Sequence, residues 1–185
     1  MTHRHISVPP FELDVAVETR ALSGPDMVVR PLRPTDRPAL DRLVRSVELF
    51  SSAEMEVAME VLDAFLARPG HDYWGIGAFA DHDLLLGYAC YGPTPCTEGT
   101  WDLYWIAVAG ETRGRGVGST LMAAVERDLT ERQARMLLIE TASRAEYAPT
   151  RAFYERRGYT ETARVADFYA PGDDRVIFVR TFTHA

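Results

Sequence analysis

The spacing of apolar positions along this chain switches between a period of two and a period near 3.6, and each switch marks an element boundary. Residues 2–26 are polar and broken by prolines, with one apolar patch at Phe11, Leu13, Val15 and Val17, and read as an N-terminal extension. A short strand follows over 27–31. Thr35 or Asp36 then caps a helix running to about Leu49, with Pro38 tolerated in its first turn. Ser51 or Ser52 caps a second helix over 53–67, which carries Met55, Met59, Leu62 and Leu66 on one face and stops at Pro69-Gly70. Strands over 73–80 and 84–91 flank a tight Asp81-His82-Asp83 turn and form a hairpin. An aromatic strand over 101–108 leads through a glycine-rich turn into a helix over 116–131. A strand over 135–141 and a helix over 148–157, ended by Gly158, come next. The last two strands, about 159–167 and 175–182, flank a Pro171-Gly172-Asp173-Asp174 turn. Strands and helices interleaved in this way predict the α/β class (α+β in its mixture of connections).

Length and charge narrow the picture. At 185 residues the chain suits one domain over 27–185 behind the extension over 1–26. A net charge of −7 argues against nucleic acid as the ligand. No apolar run reaches the length of a membrane span, and the opening residues lack the apolar stretch of a secretory signal, so no membrane is expected and the protein reads as cytoplasmic. Cys90 and Cys96 are too few for a disulfide framework, and no His or Cys spacing suggests a metal site.

The strongest chemical signal is Arg113-Gly114-Arg115-Gly116-Val117-Gly118, between a strand and a helix. Amides at a helix start, together with the positive end of its dipole, bind anions. Glycine lets a phosphate approach the backbone, and Arg113 and Arg115 add charged donors. A P-loop is excluded because the chain has no lysine, and Ser119 stands where a dinucleotide fingerprint needs its last glycine.

The pattern R-x-x-G-x-G at 113–118, behind the strand Leu103-Tyr-Trp-Ile-Ala-Val108, resembles the coenzyme A loop of the GNAT N-acetyltransferases. The stretch Ala152-Phe-Tyr-Glu-Arg-Arg-Gly-Tyr159 is similar to that family's late helix. The resemblance covers about 27–182. It implies a mixed, mostly antiparallel sheet of six to seven strands flanked by about four helices, with the fourth and fifth strands splayed apart. It implies acetyl-CoA as cofactor, held by the backbone of Ile106, Ala107 and Val108 and by Arg113, Gly114, Arg115, Gly116, Val117, Gly118 and Ser119. Tyr154 matches the helix-borne tyrosine that acts as general acid to the leaving thiolate.

Two carboxylates compete as base: Asp102, on the strand that ends at Val108, and Glu140, at the end of the next strand; water alone is a third route. Strict alternation puts Asp102, Tyr104, Ile106 and Val108 on one face. The acceptor pocket implied by the family draws on Tyr104, Trp105, Tyr147, Phe168 and Tyr169, with Asp167, Asp173 and Asp174 nearby. Aromatics with carboxylates suit an organic cation, although strand aromatics also build cores and Asp173-Asp174 also suits a turn. The expected activity is acetyl transfer from acetyl-CoA to the primary amine of a small molecule in a ternary complex. An acyl-CoA sensor without turnover and a protein or peptide N-acetyltransferase are the alternatives, and a homodimer is common among small acetyltransferases of this type.

Overall fold

A computed structural model describes residues 27–47 and 52–183. The extension over 1–26 and the Ser51 cap lie outside the described residues; the first helix stops at Arg45, with Ser46 as its C-cap, short of the end expected near Leu49. Seven strands form one sheet: β1 (Val28–Pro31), β2 (Trp74–Ala80), β3 (Leu84–Pro93), β4 (Thr100–Val108), β5 (Met136–Ala142), β6 (Thr160–Ala170) and β7 (Asp173–Thr181). Their order is β1-β2-β3-β4-β5-β7-β6. Every pairing is antiparallel except β4 with β5. A parallel pair requires a crossover, and α3 (Val117–Glu131) supplies it.

The sheet is covered on both faces. On one, α3 buries Val117, Leu121, Met122, Val125 and Leu129, and α4 (Ala148–Arg156) buries Tyr154, against Trp101, Leu103, Leu137, Ile139 and Phe178. On the other, α1 (Arg37–Arg45) and α2 (Ser52–Ala67) bury Leu40, Val44, Leu62 and Phe65 against Phe79, Tyr88, Cys90 and Ala107. Asp36 closes the turn ahead of α1: its carboxylate accepts the Arg33 N–H at 2.8 Å and two bonds from the Arg30 guanidinium at 2.8 and 2.9 Å. No helix among the described residues is long and apolar enough to cross a membrane.

Two expectations need correction. Asp173 and Asp174 are not turn residues; they open β7, and the reversal shrinks to Pro171-Gly172. Alternation along β4 also breaks. Cys90 pairs with Trp105 but Tyr91 pairs with Leu103, so Tyr104 is an extra, bulged residue. Trp101 and Leu103 therefore share the α3 face with Ile106 and Val108, whereas Trp105 and Ala107 face α1 and α2. Asp102, between Trp101 and Leu103, points away from Ile106 and Val108.

Candidate active site

The parallel pair β4–β5 runs only from Thr100↔Met136 to Leu103↔Ile139. Beyond that rung the strands part. β4 stays on β3 through Ile106↔Ala89, Ala107↔Tyr88 and Val108↔Gly87. β5 stays on β7 through Glu140↔Ile177, Thr141↔Val176 and Ala142↔Arg175. The two strands thus have no strand across from them over 104–108 and 140–142, and the backbone groups of Ile106 and Val108, which alternate toward the gap, call for a ligand or water. Side chains fix the end of β5. Arg151 donates from Nη1 to the carbonyls of Ala142 at 2.7 Å and Arg144 at 3.0 Å. Asp173 Oδ1 accepts the Ser143 and Arg144 N–H groups at 3.0 and 3.2 Å.

At the open end the chain passes through the glycine turn. Gly114 and Gly116 adopt φ of +77° and +84°, which side-chain-bearing residues adopt only under strain. Gly116 is the N-cap of α3, so the helix start opens directly behind it. A Cβ at either glycine would meet nothing within 4 Å, and the side chains of Arg113 and Arg115 are exposed. Ile106, Ala107, Val108 and the turn through Ser119 therefore form one continuous lip around the fork. The first amides of a fifteen-residue helix, unpaired within it, aim at that lip.

The candidate catalytic groups divide between the faces of the sheet. Tyr154 lies on the α3–α4 face, 3% exposed, with ring centroids of Phe153, Phe178 and Tyr159 at 5.5, 5.8 and 6.0 Å. Burial pushes its phenol well above the usual tyrosine value, with Tyr147 adding to the shift, so the hydroxyl stays protonated. Tyr147 stands at the N-terminus of α4 beside Tyr154, under the Arg144 guanidinium at 4.8 Å.

On the α1–α2 face, Asp102 accepts the Thr94 hydroxyl at 2.6 Å. Tyr104 packs edge-on to Tyr73 at 5.1 Å, and burial, with the Asp102 charge, pushes its phenol up to about 12. Glu140 is ion-paired with Arg175, whose guanidinium sits 4.9 Å over the ring of half-exposed Phe168; Tyr169 packs against that ring at 5.0 Å. The other hairpin carboxylates are used locally. Asp167 accepts the Gly172 N–H at 2.6 Å, and Asp174 pairs with Arg164 at 3.1 Å.

Three contacts were not visible in the sequence: Thr94 on Asp102, Arg175 on Glu140, and Arg151 on the end of β5. A fourth feature is Thr141, 6% exposed, whose Oγ1 has no hydrogen-bond partner. Arg175 reaches Glu140 across strands 35 residues apart, and the nearer pairs, Thr94 with Asp102 and Arg151 with Ala142, depend on how a hairpin and a helix fold back on their strands.

The family model of the acetyltransferase (GNAT) family matches residues 40–159. A GNAT-family protein from Desulfovibrio desulfuricans is 41% identical, covering 84% of this chain and 98% of its own, with a TM-score of 0.80. The ribosomal-protein-S18-alanine N-acetyltransferase of Escherichia coli shares the fold at 21% identity, covering 86% of this chain and 96% of its own, TM-score 0.69. An aminoglycoside 6′-N-acetyltransferase complexed with coenzyme A does so at 17% identity, covering 85% and 98%, TM-score 0.67. A search of curated proteins returns no relative. The chain belongs to the GNAT family of acetyltransferases.

Proposed function

We propose that this protein transfers the acetyl group of acetyl-CoA to the primary amine of a small molecule, by direct attack in a ternary complex. The observation that carries the reading is the fork: unpaired backbone edges that end in a phosphate-binding turn, with a neutral phenol on one face and carboxylates on the other. The residues present fit acyl-CoA. The turn over 113–119 suits its pyrophosphate, the edges over 104–108 suit its amide arm, and the orphan Thr141 hydroxyl lacks only a ligand. Acetyl-CoA, when bound, supplies an activated acetyl group whose C–S bond breaks as the C–N bond forms, the electron pair staying on sulfur.

The chain's own groups do the rest. The backbone N–H groups of Ile106 and Val108, which alternate toward the fork, polarise the acyl oxygen. Asp102, oriented by Thr94, takes the proton that the amine loses, directly or through water; Glu140 is the weaker candidate because Arg175 already engages it. Tyr154 hydrogen-bonds the departing sulfur. Cys90 is no acyl-enzyme nucleophile: it is fully buried, and burial pushes its thiol up to about 12. Tyr104, Trp105, Phe168 and Tyr169, with Asp102 among them, suit a compact organic cation. The reading includes a cytoplasmic location. It also includes a homodimer through β6, supported by that edge strand's exposure along its whole length and by half-exposed Val165, Phe168 and Tyr169.

Calorimetric titration with acetyl-CoA, followed by thiol release against a panel of small amines and a peptide with a free N-terminal alanine, tests the reading. Binding with release on a small amine supports it. Release on the peptide alone moves the acceptor to proteins, and absence of binding rejects the assignment of the turn.

A further inference from the structure

We infer that the Thr141 hydroxyl donates a hydrogen bond to the sulfur that leaves from acyl-CoA, as a second donor beside Tyr154. This rests on the acetyl-CoA reading above.

The first argument is the orphan itself. Thr141 is 6% exposed and its Oγ1 has no partner, on the strand face it shares with Leu137 and Ile139. A buried hydroxyl without a partner is destabilising, and valine would fill the same volume without that penalty. Its side chain stands off the sheet face, and no protein group there reaches its Oγ1. Here β4 has already left: its last rung on β5 is Leu103↔Ile139, two residues before Thr141. The partner must come from whatever fills the fork.

Depth then selects the sulfur over the amides of the arm. Thr141 lies two residues past the last rung, about 7 Å into the fork at ~3.3 Å per residue. β4 reaches the phosphate turn only after Val108, five residues past the same rung and on the order of 16 Å from it. A cofactor anchored at the turn enters from the open end, so its acyl terminus occupies the closed end, at the level of Thr141. Tyr154 converges there, since its ring packs on Phe178 and Phe178 pairs with Ile139 on the adjoining rung.

The chemistry explains why two donors are useful. Sulfur in a thioester is a poor acceptor, but it gains charge as the C–S electron pair settles on it, and hydrogen bonds to a charged acceptor are stronger. Both hydroxyls keep their protons. Burial holds the Tyr154 phenol far above a thiol, so handing its proton over would be uphill, and the bonds strengthen only as charge develops.

The test compares Thr141→Val and Thr141→Ser with the unmodified protein. Calorimetry gives the affinity for acetyl-CoA and for free CoA at about pH 7 and about pH 9.5, on either side of an ordinary thiol pKa near 8.5. Thermal unfolding of the unliganded protein runs alongside. For Thr141→Val we expect an unchanged or higher melting temperature, acetyl-CoA affinity within about twofold, and free CoA bound about tenfold more weakly at the higher pH only. Thr141→Ser should restore CoA binding. Equal CoA affinity at high pH overturns the inference, as does an equal loss for both ligands at both pH values, which would assign the hydroxyl to the amide arm. A lower melting temperature overturns it too, by revealing a structural partner. If the unmodified protein binds neither ligand, the functional reading itself fails, a result distinct from all of these.

Discussion

Replacing Gly116 by Asp and, separately, by Asn isolates the electrostatics of the proposed phosphate turn. The two side chains have nearly the same shape, and both tolerate the left-handed backbone better than other residues do. Gly116 holds φ at +84°, which strains any side chain, but a Cβ there meets nothing within 4 Å, so the strain is backbone strain common to both variants. Their difference is one negative charge at the N-cap of α3. With that charge ~5 Å from two pyrophosphate charges at a water-like dielectric, the repulsion is about 1.7 kcal/mol before screening. Screening with Debye lengths of about 30, 8 and 3 Å reduces it to roughly 1.4, 0.9 and 0.3 kcal/mol at 0.01, 0.15 and 1 M salt. The Asp variant should therefore bind acetyl-CoA about tenfold more weakly than Asn at the lowest salt, about fourfold at 0.15 M and under twofold at 1 M. Calorimetric titration of both variants across salt measures the ratio. A ratio of one at low salt, or a ratio that ignores salt, would refute the turn as the anion site.

Tyr154→Phe should lower turnover about 10²-fold while acetyl-CoA affinity stays within about twofold; thiol-release kinetics at unchanged turnover would remove Tyr154 as the sulfur's donor. Tyr88→Phe should raise the melting temperature by about 2–4 °C, the equivalent of ~1 kcal/mol, because it removes a fully buried hydroxyl that has no partner; a lower value would reveal one. Burial alone would push the Asp36 carboxyl up, but bonds from Arg30 and the Arg33 amide outweigh it and hold the carboxyl below its ordinary value. The stability it contributes is thus full above about pH 4 and lost as pH falls through the lowered value, so Asp36→Asn should flatten that part of the acid limb in unfolding experiments; an unchanged acid slope would count against the pairing.

What the sequence made legible was local. The tight Asp81-His82-Asp83 turn between two apolar runs marked the β2–β3 hairpin, and the turn from Arg113 to Gly118 announced itself because its backbone conformation demands glycine at Gly114 and Gly116. Tyr104 shows the limit. A bulge is a property of two paired strands, so nothing near Tyr104 reveals that Asp102 and Ile106 end on opposite faces. Asp173 and Asp174 failed differently: Pro-Gly-Asp-Asp is good turn chemistry, yet Asp173 serves by reaching 30 residues back to the Ser143 amide. Thr141 looks like any β-branched strand residue until the neighbouring strand is seen to be missing.

The fork also accounts for how an acid and a base can share one site. A phenol and a carboxylate side by side would hydrogen-bond to each other and satisfy the very groups that chemistry needs unsatisfied. Here the sheet stands between them, with Tyr154 among the rings of the α3–α4 face and Asp102 on the α1–α2 face. The two faces meet where β4 and β5 part beyond Leu103↔Ile139. Arg151 occupies the Ala142 carbonyl at the end of β5, so closing the passage by re-pairing there would require that bond to break. In the function proposed above, an acyl group in that passage would be reached by an amine from one side and by hydrogen-bond donors to its sulfur from the other. The α1–α2 face and the β6–β7 hairpin can then vary with the acceptor, while the turn and the fork hold the donor unchanged.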